Sequence, residues 1–353
     1  MKEKHLYYLA GVFVFLFIIY FVTKPRHTSV NLDEFVQTIV FGISKEDVKN
    51  IEVYKESTED NPIKLALTKQ EDQWYLTTKY NCKAQESAIN RLLEAVLEMT
   101  GKVRSTDPKH LEKYHITDAQ GIHLLLKDEA DKTLANLIIG KKGEDYNTGF
   151  VRFAGKDKVY FVDKNVLSNL SVHGDIDTLS VLKDNSFIDL EAVKQDKDQL
   201  DMVALVHKGK QMIIKKVERD VEVVEDSVKT TKKEEFWVHM KGEIEIDLEK
   251  KEVDNFLRDV CTIRGQKVVD RIGNSLADMN KNSQYGLSRP RNVVVFKEKG
   301  SDQQQNVIMG KEYEKDKGYF MQVQYDGLVY HLSKSNFDKI FKWADDLPEK
   351  LKK

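Results

Sequence analysis

The residues of this chain that are equipped for chemistry are a lysine pair between glycines, a loose set of histidines, two neighbouring aspartates and two cysteines. Gly140-Lys141-Lys142-Gly143 follows a strand pattern, and backbone N–H groups in a glycine-rich loop can cradle an anion. A later counterpart, Gly310-Lys311-Glu312, lacks the second glycine and carries an acid, which an anion cradle would resist; a hairpin turn accounts for both. His110, His115 and His123 are the only histidines near one another among nine, and zinc requires several ligands drawn together, so we read them as structural or surface groups. Asp175 and Asp177 offer two oxygens to a cation, fewer than calcium takes, and read as a solvated loop. Cys82 and Cys261 are the only thiols and are expected to stay unpaired. The chain contains no His-Glu-x-x-His, no Gly-x-Ser-x-Gly and no Walker-type loop. Carboxylates are abundant, but no pair is marked by an apolar setting. We therefore expect no catalytic residue, no cofactor and no metal.

The elements that must position any site are duplicated. Asn136-Leu137-Ile138-Ile139-Gly140-Lys141 returns as Asn306-Val307-Ile308-Met309-Gly310-Lys311, an interval of 170 residues. The same interval carries Val159-Tyr160-Phe161-Val162 onto Val329-Tyr330-His331-Leu332, and Leu167 and Leu170 onto Phe337 and Ile340. Further back, Tyr114-His115-Ile116 aligns with Tyr285-Gly286-Leu287, Gly101 with Gly265, and Trp74 with Trp237. The helix face Ile89, Leu92, Leu93, Val96 aligns with Val253, Phe256, Leu257, Val260. Shared positions are overwhelmingly apolar, aromatic or glycine, which is what a shared fold requires.

Within each copy, period-two alternation around Ile51 and over 201–207 predicts half-buried strands, and the Ile89 and Val253 faces predict amphipathic helices, the first ended by Gly101 and the second running over 252–263. The second copy carries an insertion, 217–235, dense in mixed charge; it reads as a solvent-facing hairpin or, in a sharper reading, as an arm that docks a partner. Trp343 has no twin and is expected to cap the second core. Trp74 and Trp237 are expected to be core anchors.

The 353 residues are 41% hydrophobic and 32% charged, ample for two folded units with a hydrophilic exterior. The 56 basic residues nearly balance 58 acidic ones, with no basic stripe, which argues against nucleic acid. The run 6–22 (LYYLAGVFVFLFIIYFV) is apolar throughout and bounded by lysines and arginine, so we expect an uncleaved transmembrane anchor; a cleaved signal peptide is the competing reading. Basic residues flank both ends alike, but a long hydrophilic domain behind one anchor usually crosses the membrane, so the expected location is the inner membrane, single-pass, with the bulk periplasmic.

One N-terminal apolar span, the opening Phe41-Gly42-Ile43-Ser44-Lys45-Glu46-Asp47-Val48-Lys49-Asn50-Ile51, a tryptophan before an amphipathic helix, Tyr285-Gly286-Leu287, then Ile-x-Gly and Val-Tyr, resemble a bacterial family of unknown function, DUF4340. The likeness extends over nearly all of the chain after the span, most sharply from Trp237 to Ile340; the first copy departs from it at His115, where the glycine is absent. The resemblance implies an envelope protein whose relatives look like auxiliary components of ABC-type transport systems similar to those linked to gliding motility, and it brings no catalytic residues.

The expected fold is α+β: a transmembrane helix followed by two tandem repeats, each a mainly antiparallel sheet with one long amphipathic helix. The expected divisions are a tail 1–5, the anchor 6–23, a connector 24–45, a first repeat 46–170, a joint 171–197 and a second repeat 198–347. The expected function is that of a non-enzymatic, membrane-anchored accessory subunit of an ABC-type transporter or envelope complex, partnered with permease subunits and the membrane. The alternatives are an envelope glycan- or lipid-binding module using a groove between the repeats, and a hydrolase whose site the sequence does not mark.

Overall fold

The structure is a computed structural model and describes residues 36–56, 63–174, 176, 182–225, 228–273, 276–324 and 326–345. In the first half, the strands are β1 (Gln37–Thr38), β2 (Asn50–Lys55), β3 (Ile63–Gln70), β4 (Gln73–Leu76), β5 (Cys82–Lys83) and β6 (Thr100–Ser105). They continue with β7 (Ile122–Lys127), β8 (Thr133–Lys142), β9 (Gly149–Phe153) and β10 (Val159–Val162). Helices α1 (Glu86–Leu97) and α2 (Val166–Asn169) accompany them. The second half holds β11 (Glu191–Lys194), β12 (Leu200–His207), β13 (Lys210–Glu225), β14 (Val228–Lys241), β15 (Ile244–Asp247) and β16 (Thr262–Arg264). After these come β17 (Lys267–Arg271), β18 (Asn292–Glu298), β19 (Gln304–Glu314), β20 (Gly318–Val323) and β21 (Leu328–Ser333), with α3 (Lys250–Val260), α4 (Leu276–Tyr285) and α5 (Lys334–Phe341).

The first sheet runs β5-β4-β3-β2-β7-β8-β9-β10-β6-β1, and the second runs β15-β14-β13-β12-β18-β19-β20-β21-β17, so the two follow one strand order; β11 and β16 form a separate pair. All pairings between these strands are antiparallel. Alternation places Ile51 and Val53 of β2 in the core, with Val53 opposite Leu65 and Leu124. Helix α1 covers this sheet with Ala88, Ile89, Leu92, Leu93 and Val96, and α3 uses Val253, Phe256, Leu257 and Val260 in the same way. Most of the buried apolar residues of the two halves form one continuous cluster from Ile39 to Ala344, with smaller clusters around Ile116 and Leu287.

Several expectations are corrected here. The fold is dominated by sheet, and its helices are short: α1 has 12 residues and α3 has 11, about three turns each, so neither is the long amphipathic helix anticipated. Helix α1 ends at Leu97, not at Gly101, which already lies in β6; α3 stops at Val260, with Cys261 just beyond. The expectations of a transmembrane helix and of a single-pass inner-membrane protein with a periplasmic bulk are not supported. Among the described residues no helix is long and apolar enough to cross a bilayer, since twelve residues rise only about 18 Å against a hydrocarbon core of roughly 30 Å. The run 6–22 lies outside the described residues, as do Asp175 and Asp177 of the joint.

The glycines shared by the two halves have a steric origin. A Cβ on Gly140 or Gly310 would be driven into the carbonyl oxygen of Tyr114 or Tyr285 respectively, because the backbone between β6 and β7, and between β17 and β18, approaches the strand closely there. Gly310→Ala is expected to lower stability by about 2–3 kcal/mol through overpacking. A urea-denaturation midpoint within error of the parent would show that the loop shifts without cost.

Candidate functional site

A groove of about 900 Å³ lies on the first sheet. Stretches far apart in sequence build it, with Leu167, Gly174 and Ile176 beside those that follow. Strand β6 contributes Lys102, Val103 and Arg104; the 3₁₀ turn after Pro108 contributes Lys113, Tyr114 and His115; the β8–β9 turn contributes Lys141 to Asp145; and β9 and β10 contribute Phe150 and Phe161.

Three rings make the floor. Tyr114 and Phe150 lie 4.4 Å apart between centroids, and Phe150 and Phe161 lie 5.3 Å apart. Their order follows from the sheet register, in which Phe161 stands directly opposite Phe150. Five cations, Lys102, Arg104, Lys113, Lys141 and Lys142, surround the floor, with Glu144 and Asp145 as the acids. The ammonium groups of Lys113 and Lys141 sit 5.9 and 6.0 Å from the centre of the Tyr114 ring, the range of a cation–π attraction. Among the described residues none of the five cations forms an ion pair. Such an arrangement can hold an anionic group by charge and a planar or apolar group by stacking.

Gly140-Lys141-Lys142-Gly143 is a strand end leading into a turn, with Gly143 N–H donating to Thr148 O at 2.9 Å, yet both lysines face the groove. Of the three histidines, His115 lines the groove in a left-handed conformation (φ 53°), which its counterpart Gly286 shares at φ 72°. His110 pairs with Ser105 Oγ at 2.7 Å, and buried His123 stacks on Tyr54 at 4.5 Å, so the structure does not bring the three together. Among the described residues no group of three His, Cys, Asp or Glu side chains stands close enough to share an ion.

Cys82 and Cys261 are buried and unpaired; burial pushes their thiols up to about 11 and about 12, which keeps them protonated and unreactive. Trp74 is buried in the core, whereas Trp237 is only partly buried and lies under Lys216 at 5.2 Å. The insertion 217–235 is the far part of a long β13–β14 ribbon, with Val217 opposite Phe236 and Glu225 opposite Val228. Its charges neutralise one another locally: Lys233 pairs with Glu218 at 2.5 Å, and Arg219 with Asp247 at 2.7 Å and Glu245 at 3.0 Å.

Hydrogen bonds tie the two halves together at their junction. Tyr80 Oη donates to Val269 O at 2.6 Å, while Arg271 donates to Tyr80 O at 2.7 Å and Asn81 O at 3.2 Å. The groove lies on the first sheet, not between the repeats, where the sequence reading looked for one. Sequence reading missed it because its cations come from stretches some 40 residues apart that only the β10–β6 and β8–β9 pairings bring together.

The fold and groove together define a duplicated, sheet-dominated protein with a cationic, aromatic-floored concavity on its first sheet. Over residues 74–280, more than half of its length, the chain matches the family described as Domain of unknown function (DUF4340), and it belongs to that family. The match starts at Trp74 and ends at 280, part-way through the stretch from Trp237 to Ile340 where the resemblance in sequence is sharpest. No curated protein and no solved structure matches the chain.

Proposed function

We propose that this protein is a non-enzymatic accessory subunit that docks an acidic surface of a partner in the groove on its first sheet, the partner being a subunit of an ABC-type transport system or comparable complex. The observation that carries this reading is the set of five unpaired cations around three rings, which is recognition chemistry for an anionic, partly apolar ligand. The transporter as partner class rests on the resemblance of relatives to auxiliary transport components. The same groove also supports the alternative of an acidic glycan or lipid headgroup, whose flat or apolar faces would stack on the rings.

The test is co-purification with full-length protein, comparing the parent with a Lys102→Glu/Lys141→Glu/Lys142→Glu variant whose thermal melt is checked in parallel. The reading expects transport subunits with the parent and about tenfold less with the variant. Equal recovery by both would overturn the groove as the contact and point to the β13–β14 ribbon. Absence of transport subunits, together with charge-dependent retention on anionic glycan or vesicles, would replace the reading with the alternative.

A further inference from the structure

The two halves are internal controls for one another, and they differ at the groove. The second sheet has the same trio of rings: Tyr285 and Phe320 at 4.7 Å, and Phe320 and His331 at 5.3 Å. Its register is the same too, with His331 opposite Phe320 and Glu312 opposite Tyr319, where the first sheet has Phe161 opposite Phe150 and Lys142 opposite Gly149. The second sheet adds a fourth ring. Tyr313 stacks flat on His331 at 3.8 Å and 3°, meets Phe320 edge-on at 6.0 Å, and donates its hydroxyl to Gln266 Oε1 at 3.0 Å.

Stepping by the interval that relates Lys141 to Lys311 and Phe150 to Phe320, the counterpart of Tyr313 is Gly143. The first half therefore has no fourth ring, and the groove lies against Gly143, Phe150 and Phe161. The residue across each turn switches in compensation: Thr148 faces Gly143, and Gly318 faces Tyr313. A Cβ on Gly318 would collide with Leu332 O and come within 2.9 Å of the Tyr313 ring, and one on Gly143 would collide with Thr148 and come within 2.9 Å of the Phe161 ring. Only in the second half does the side chain at this turn position lie over the rings. The surroundings differ in charge as well: the second turn reads Lys311-Glu312-Tyr313-Glu314, whereas the first reads Lys141-Lys142-Gly143-Glu144-Asp145 and is flanked in the groove by Lys102, Arg104 and Lys113.

We propose that the groove receives in trans what Tyr313 supplies in cis: the ring of a tyrosine or phenylalanine carried by an acidic segment of a partner protein. The ring stacks on Phe161 as Tyr313 stacks on His331, and neighbouring carboxylates meet Lys102, Arg104, Lys141 and Lys142. This rests on the docking reading above and specifies its ligand.

The experiment uses the full chain and a fluorescein-labelled peptide of aspartates and glutamates with one central tyrosine, compared with the same peptide carrying alanine there. The expected result is saturable binding that weakens with added salt, falls about tenfold on loss of the ring, and falls again in the Lys102→Glu/Lys141→Glu variant. A second variant, Gly143→Tyr/Thr148→Gly, copies the other turn; it is expected to fill the groove from within and to abolish ring-dependent binding while leaving the thermal melt in place. If both peptides bind the parent equally and the lysine variant binds neither, the groove reads charge alone: the ring inference fails and the docking reading stands. If neither peptide binds while anionic polysaccharide or anionic vesicles do, both fail. Ring-dependent binding that survives the lysine variant would also overturn the site.

Discussion

Replacing Phe187 with alanine is expected to cost about 3–5 kcal/mol and to lower the melting of the whole chain in one step. Phe187 is 1% exposed and belongs to the cluster shared by both halves. It lies in the segment that ties them: Phe187 O accepts from Gln85 N at the start of α1 at 2.7 Å, Ala84 bridges Ile188, and Asp189 N donates to Lys83 O at 2.9 Å. Asp184, at the head of the same segment, pairs with Lys79 at 3.1 Å. Removing the ring leaves a cavity under backbone held from two sides, which limits collapse and places the cost at the upper end for a large-to-small change. Because the cluster is continuous, both halves are expected to melt together. Calorimetry resolving two separate transitions, only one of them moved by Phe187→Ala, would show that the halves are independent.

Asp259→Ala is expected to cost about 3 kcal/mol, and most of that cost should vanish in strong acid. The carboxylate sits on α3, almost fully buried, and accepts the Trp343 indole N–H at 3.0 Å while Lys339 and Lys342 approach at 3.2 Å. Trp343 is itself buried and meets Phe256 edge-on at 5.9 Å, so the tail closes the second core around this acid, the capping role anticipated for it. Burial alone would raise the carboxyl's pKa; the indole N–H and the two ammonium groups outweigh it and hold the group below the usual carboxylate range. For a depressed pKa, the stabilisation is fully present above the unfolded value near pH 4 and is lost as pH falls through the lower folded value. Stability of the parent should therefore drop below about pH 4 more steeply than that of Asp259→Asn. Superimposable stability–pH curves for the two proteins would refute this account of the acid.

Much of the scaffold was legible because its signals are local. Ile51 and Val53 alternate with polar neighbours, and Ile89, Leu92, Leu93 and Val96 share a helix face; each pattern depends only on residues a few places apart. Helix length was not legible, since α1 stops at Leu97 where the chain must turn to enter β6, and the apolar run before that point carries no mark of its last turn. The groove was legible only by halves. Lys141 and Lys142 drew notice as a turn, but their convergence with Lys102 and Lys113 did not, and the most telling sign, Gly143 where the other copy has Tyr313, is a difference between copies that a search for identities passes over.

The sequence by itself determined that the chain is a duplication, because steric demands such as the tyrosine carbonyl over Gly140 and Gly310 hold both copies to the same residue types at one interval. Tertiary structure alone decided where the copies part. Strand pairing across tens of residues gathers five cations over three rings in the first half and folds Tyr313 onto His331 in the second, and neither neighbourhood exists until the sheets form.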